Sequence, residues 1–191
     1  MLDPDIILMG YQRGFFPMGE ERDGDVYWHR PELRAIIPLD AVRIPKSVRK
    51  ELEKGLLRTT INEDFSTVIL RCSQRDQTWI TQEIIDAYTE LHTMGFAHSV
   101  ETWIGDELVG GLYGVAINAA FFGESMFSLR SNASKVAFAR LVDHLIDTHF
   151  ALLDTQYIND FTASLGAIEI PDVEYIDRLQ EALARTNVSF A

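Results

Sequence analysis

Two short polar segments interrupt apolar runs in this sequence: Glu124 in FFGESMFS, and Asp154 with Gln156 in LLDTQ. Carboxylates and a carboxamide are costly to bury unpaired. They are read either as partners in a structural hydrogen-bond network or as groups that bind and polarise a ligand. A spacing of two on a strand turns Asp154 and Gln156 toward one face, so both can address the same surface. Other chemistries fail on spacing. Gly123-Glu124-Ser125-Met126-Phe127 begins like a nucleophile elbow, but Phe127 stands where the tight turn needs a second glycine, so Ser125 is not expected to attack. His29, His92, His98, His144 and His149 form no HExxH or Cys/His pattern, and no metal site is expected.

Groups that could bind rather than react fall into two sets. Trp28, Trp79, Tyr88, Tyr113 and Phe121 are either core or the lining of a pocket. Lys46, Arg49, Lys50 and Lys54 follow one another at helical spacing between Pro45 and Gly55, which puts all four on one stripe. That stripe is either a phosphate-backbone contact or a solvated face balanced by Glu51 and Glu53. The net charge of −12 argues against a general nucleic-acid binder. Residues 30–58, however, carry 8 bases against 4 acids. With a Debye length of about 8 Å in the cell, distant acidic surface does not cancel a local stripe.

The elements that must position these groups are legible in outline. Asp3-Pro4 opens a helix, Pro45 to Gly55 frames the basic one, Asn62 is expected to cap a helix carrying Phe65, Val68, Ile69 and Cys72, and Thr81 to Gly95 frames another. From Ser99 to Ser128 the period changes to three β-rich runs separated by two turn-like clusters, an antiparallel meander. A long helix from about Ala133, strands ALLDTQ and GAIEI, and a helix opened by Pro171 with Val173, Ile176, Leu179 and Leu183 on one face complete the chain. The expected class is α+β, a central, mostly antiparallel sheet flanked by helices. Residues 1–191 are expected to form one domain, with 1–95 mainly helical and 96–191 carrying the sheet.

Composition agrees with one buried core: 191 residues at 47% hydrophobic content are neither disordered nor a disulfide framework. The single Cys72 reads as a small buried hydrophobe. No apolar run is long enough to span a membrane, and Met-Leu-Asp-Pro-Asp does not open like a secretory signal, so a cytoplasmic location without a membrane partner is expected.

The runs YQRGFFPM, TWIT, AYTELHTMGFAHSVETW, LVGGLYGV, FFGESMFS, NASKVA, LLDTQ and ND-x-TASLGA-x-EIP, in that order, resemble leucyl/phenylalanyl-tRNA–protein transferases from about Tyr11 to Leu179. The resemblance implies transfer of Leu or Phe, with Met as a further donor, from charged tRNA to the basic N-terminal residue of a protein, marking it for degradation. It also implies an acetyltransferase (GNAT)-like fold for the sheet region. It places the tRNA acceptor stem on the basic stripe. The aminoacyl side chain falls in an apolar pocket at Trp79, Tyr88, Leu112 and Phe121, with Met18 and Trp28 beside it, and catalysis at Asp154, Gln156 and Glu124. No cofactor beyond the charged tRNA and its 3′ end is implied.

The chemistry needs no strong nucleophile. An aminoacyl ester is already activated, and a free α-amine has a pKa of about 7.7 to 8, so positioning supplies much of the acceleration. Gln156 is expected to orient the amine through its carbonyl oxygen, Asp154 to fix and polarise that amide, and Glu124 to attract the cationic acceptor.

The chain departs from the family in several places. The usual N-terminal segment before YQRG is short. Met18 replaces a Trp, Phe161 a His, Asp172 an Arg, Asn118 a Gly and Glu53 a base. Two rival readings are kept. One is a GNAT-type acyltransferase using acyl-CoA, opposed by Arg130-Ser131-Asn132-Ala133-Ser134-Lys135, which lacks both glycines of the usual pyrophosphate loop. The other is a silent module that binds tRNA or protein N-termini without turnover.

Overall fold

A computed structural model describes residues 2–75 and 78–190. Asp3 accepts hydrogen bonds from the amides of Asp5 and Ile6, so helix α1 (Pro4–Gln12) starts at the expected Asp-Pro pair and buries Ile7, Leu8 and Tyr11. Strands β1 (Phe16–Gly19) and β2 (Val26–His29) form a small antiparallel ribbon, followed by β3 (Leu33–Ile36). Helix α2 (Lys46–Glu53) begins after Pro45 and the chain leaves it through Gly55 at φ 66°, where a left-handed residue is needed. Strand β4 (Arg58–Ile61), helix α3 (Phe65–Ser73) and helix α4 (Gln82–Thr93) follow, α4 capped by Thr81 as expected.

The meander is present as β5 (Ala97–Ile104), β6 (Glu107–Ile117) and β7 (Ala120–Ser128). Then come α5 (Ala133–Asp147), β8 (Leu152–Gln156), the short α6 (Asp160–Ser164), β9 (Ile168–Pro171) and α7 (Asp172–Leu183). Seven strands make one sheet in the order β4-β5-β6-β7-β8-β3-β9. Every neighbouring pair is antiparallel except β7 and β8, which run parallel over Ala120–Phe122 against Leu152–Asp154.

Alternation along β6 divides the core between the two sheet faces. Tyr113, Val115 and Ile117 pack with α1, α3, α4 and α7, while Leu112 and Ala116 pack with α5, Phe150 and Phe190. Helix α2 rides on α5 through Val48, Val136 and Ala139. Cys72 is fully buried, and burial pushes its thiol up to about 12, which fits the expected inert hydrophobe. No helix among the described residues is long and apolar enough to cross a membrane.

Three expectations need correction. The first 95 residues are not helical alone: among the described residues they also contain four short strands, and β3 and β4 belong to the main sheet, which was expected only from residue 96 on. These strands are only four residues long and their partners lie far along the chain, so no local period announces them. Asn62 does not cap α3. It sits at φ 57° and serves the Ser99 amide and the His98 ring, while Asp64 caps the helix by accepting from the Thr67 amide. On α7 the buried face is Tyr175, Leu179 and Ala182, and Val173 is 71% exposed.

Candidate active site

Beyond Phe122 and Asp154 the strands β7 and β8 part, and a cavity of about 660 Å³ opens between them. One wall is apolar. Ile37, Leu112, Phe138, Leu141, Leu153 and Leu165, all nearly excluded from solvent, supply it. The other wall is mixed, with Met18, Trp79, Arg71, Gln74 and Arg75, and Glu124 and Gln156 also line the cavity. Among the described residues no histidine or cysteine lines the cavity, so Ser125, which does, has no imidazole there to activate it. The described residues contain no cluster of His, Cys, Asp and Glu fit to hold a metal.

Asp154 is fully buried in the middle of β8. Its carboxylate accepts from Arg34 Nε at 3.0 and 3.1 Å and from Arg34 Nη2 at 2.7 Å, and from the Tyr175 hydroxyl at 2.7 Å. Arg34 comes from β3, next to β8 in the sheet. It also donates to the Gly14 carbonyl at 2.9 Å and lies 4.5 Å from the ring centres of both Phe16 and Tyr175. Burial works against the guanidinium charge, but the Asp154 carboxylate outweighs it and holds the Arg34 pKa above its ordinary value.

Glu124 is 8% exposed on β7. It accepts from the Tyr11 hydroxyl at 2.6 Å, from Gln156 Nε2 at 2.8 Å and from the Tyr88 hydroxyl at 3.4 Å, and the two tyrosine hydroxyls contact each other at 2.5 Å. Burial, reinforced by the Asp154 charge, pushes the Glu124 carboxyl up to about 8 against the pull of the Tyr11 hydrogen bond and the Arg34 charge. Burial first, and then the Glu124 charge, raise both tyrosines well above the ordinary phenol value, so they act as neutral donors.

Gln156 ends β8 at φ 64°, a left-handed conformation that costs a non-glycine residue of order 1 kcal/mol. The turn is held by the Gln156 amide donating to Asp154 Oδ1 at 2.8 Å. This corrects the expected link between the two side chains: Asp154 grips Gln156 by its backbone, and the carboxamide is held by Glu124. No described residue donates a hydrogen bond to Gln156 Oε1, which leaves that oxygen as an acceptor beside the cavity. Nor is Glu124 a standing anion. A carboxyl at about 8 is mostly protonated at pH 7.

The other expected site residues divide. Met18, Trp79 and Leu112 line the cavity. Tyr88 does not, and reaches the site through its hydroxyl on Glu124. Phe121 points to the α5 side, stacked on Phe190 at 5.2 Å, and Trp28 is 39% exposed on β2, packed against Gly10; neither lines the cavity. Along α2, Lys46, Arg49 and Lys50 are exposed, as is Lys54 just past its end, which pairs with Glu51 at 2.8 Å. The Ser47 hydroxyl donates to Asn132 at 3.5 Å, just before α5, and Ser134 in the first turn of α5 lines the cavity, so the start of α2 lies by the cavity rim.

Tyr11, Arg34 and Tyr175 escaped the sequence reading. Arg34 carried a signal, a lone base followed by the apolar run AII, and Tyr11 opened a motif without being given a role. Nothing local marked Tyr175, which enters from α7.

Residues 36–180 match the family model described as leucyl/phenylalanyl-tRNA protein transferase, and residues 1–32 match the model for the N-terminal domain of the same family. A leucyl/phenylalanyl-tRNA–protein transferase of Roseobacter denitrificans is 50% identical over 96% of this chain and 88% of its own length. One of Chlorobaculum tepidum is 47% identical over the whole of both chains. Among solved structures, L-PGS from Bacillus licheniformis aligns with a TM-score of 0.48 at 11% identity over 83% of this chain and 54% of its own.

Proposed function

The chain belongs to the leucyl/phenylalanyl-tRNA–protein transferase family, and from that membership we propose that it moves an apolar aminoacyl group from charged tRNA to the α-amine of a protein whose first residue is Arg or Lys. The observation that carries this reading is one cavity lined both by a buried apolar set and by the hydrogen-bonded pair Glu124 and Gln156. The apolar wall takes the Leu, Phe or Met side chain, discriminating by about 1 to 3 kcal/mol per methylene. The ester then lies beside Gln156. Gln156 Oε1 accepts a hydrogen bond from the attacking amine and aims its lone pair at the ester carbonyl. The amine reacts in its neutral form, which its pKa of about 7.7 to 8 makes available; as the C–N bond forms and the ester C–O bond breaks, the ribose oxygen leaves and takes up the proton that the amine nitrogen gives up.

Arg34 and Asp154 keep Gln156 in its left-handed turn, and Glu124 holds the carboxamide. An arriving cationic N-terminus favours the ionised form of Glu124, so the acceptor recruits its own counter-charge. The acceptor stem is assigned to Lys46, Arg49, Lys50 and Lys54, whose helix starts by the cavity rim. The parting of two parallel strands at the site supports an acetyltransferase-like reading of the fold, and charged tRNA as donor supports a cytoplasmic place.

The test is to incubate the protein with radiolabelled Leu-, Phe-, Met- and Arg-tRNA and peptides beginning with Arg, Lys, Asp or Glu. Label from an apolar donor should enter the Arg and Lys peptides. Confinement to acidic peptides, or binding of tRNA without any transfer, would overturn the reading.

A further inference from the structure

The mixed wall of the cavity holds two cations that the reaction as described does not use. Arg71 lies in the last turn of α3 and Arg75 just past its end, with Gln74 between them, and all three face the cavity. Both arginines are exposed, and neither has a carboxylate within ion-pair distance among the described residues. Arg71 donates to the Gln74 carboxamide oxygen at 3.2 Å, and Arg75 donates to the carbonyl of Met126 on β7. The Arg75 charge is felt by the buried Tyr113 and Cys72, so its guanidinium lies close to the inner wall. In a chain of net charge −12, two arginines without a described carboxylate partner on one cavity wall call for an anion.

The two substrates differ in charge. The acceptor is cationic at its α-amine and at its Arg or Lys side chain, and this wall repels it. The donor is a polyanion whose nearest charge to the ester is the phosphodiester on the 5′ side of the terminal nucleotide, one ribose away. We propose that Arg71 and Arg75 form a subsite for that phosphodiester. The subsite rests on the reading that the cavity holds the aminoacyl ester. It lets the wall sort the two substrates, since the anionic tail of the donor lies along α3 and the cationic acceptor enters elsewhere. Arginine forks bind phosphate oxygens through paired, charge-assisted hydrogen bonds, for which Nη and Nε groups near a cavity mouth are suited. The plainer role for Arg71, complementing the carbonyl end of α3, would leave phosphate binding untouched.

Calorimetric titration with the stable amide analogue of phenylalanyl-adenosine, with and without a 5′-phosphate, separates these cases. In the unaltered protein the phosphate should tighten binding about tenfold at low salt. That gain should shrink as salt is added. The doubly substituted R71M/R75M protein should bind both probes equally, and R71K/R75K should keep part of the gain. Equal affinity for both probes in the unaltered protein, or a gain that survives in R71M/R75M, would overturn the subsite alone. Failure of the unaltered protein to bind either probe while it still transfers label from full tRNA would remove the cavity as the ester site, and the subsite with it.

Discussion

Arg34 and Asp154, 120 residues apart in the chain, form a fully buried pair joined by hydrogen bonds from both Nε and Nη2 of the arginine. Desolvating two charges costs several kcal/mol, and only their close geometry and the further bonds to Gly14, Tyr175 and the Gln156 amide offset that cost. Removing one partner leaves the other charge buried alone. Arg34→Met should therefore destabilise the protein by about 3 to 5 kcal/mol in urea unfolding. Arg34→Met combined with Asp154→Leu should recover much of that loss yet remain inactive. A double variant that regained transfer would show that the pair serves stability only.

Glu124 makes stability fall as pH rises. Its folded value of about 8 lies above the ordinary 4.5, so between those values the native state binds a proton that the unfolded chain has released. The slope of unfolding free energy with pH is then negative, approaching about 1.4 kcal/mol per unit in the middle of that window. Glu124→Gln should flatten the decline in melting temperature between pH 5 and 8. Parallel curves for the two proteins would contradict the raised carboxyl.

Binding of a cationic acceptor should also release a proton from Glu124. Titration of an Arg-initiated peptide at pH 7 in buffers of different ionisation enthalpy should show net release after correction for the peptide's own amine. Glu124→Gln should abolish that difference. Equal heats in all buffers for the unaltered protein would remove the counter-charge role.

If the proposed site is right, the apolar wall sets the choice of donor. Leu141→Phe takes up volume on that wall and should lower transfer of Phe more than transfer of Leu, shifting the ratio by about tenfold or more. Competition between equal amounts of the two charged tRNAs gives that ratio directly. An unchanged ratio would place the side chain outside this wall.

The polar centre was legible because polar residues in apolar strands are conspicuous. Glu124, Asp154 and Gln156 could be named from FFGESMFS and LLDTQ, and the structure brings all three together through hydrogen bonds. How they connect was not legible. The left-handed turn at Gln156 turns its carboxamide to Glu124, and strand alternation cannot foresee a residue that leaves the strand conformation. Arg34 was hidden for another reason: the position of β3 between β8 and β9 is set by pairing across more than 100 residues, which no window of sequence contains.

Phe121 shares the α5 face with Leu112, but it lies where β7 and β8 are still paired and stacks on Phe190 instead of lining the cavity. The turn at Asn118, which departs from a glycine, is accommodated: Asn118 sits at φ 50° and donates to the Leu183 carbonyl at 2.6 Å. Asp172, in place of an arginine, pairs with Arg30 at 2.6 Å.

Gln156 is the most direct test of the catalytic arrangement. Single-turnover transfer of labelled Phe from Phe-tRNA to an Arg-initiated peptide should be compared for the unaltered protein and for Gln156→Gly. Glycine accepts the left-handed backbone without strain and keeps the amide that Asp154 grips, so the variant should stay within about 1 kcal/mol of the original stability. It should bind charged tRNA, and its transfer step should slow by about 100-fold or more. A folded Gln156→Gly protein transferring at the original rate would contradict the assignment of the amine to the Gln156 carboxamide.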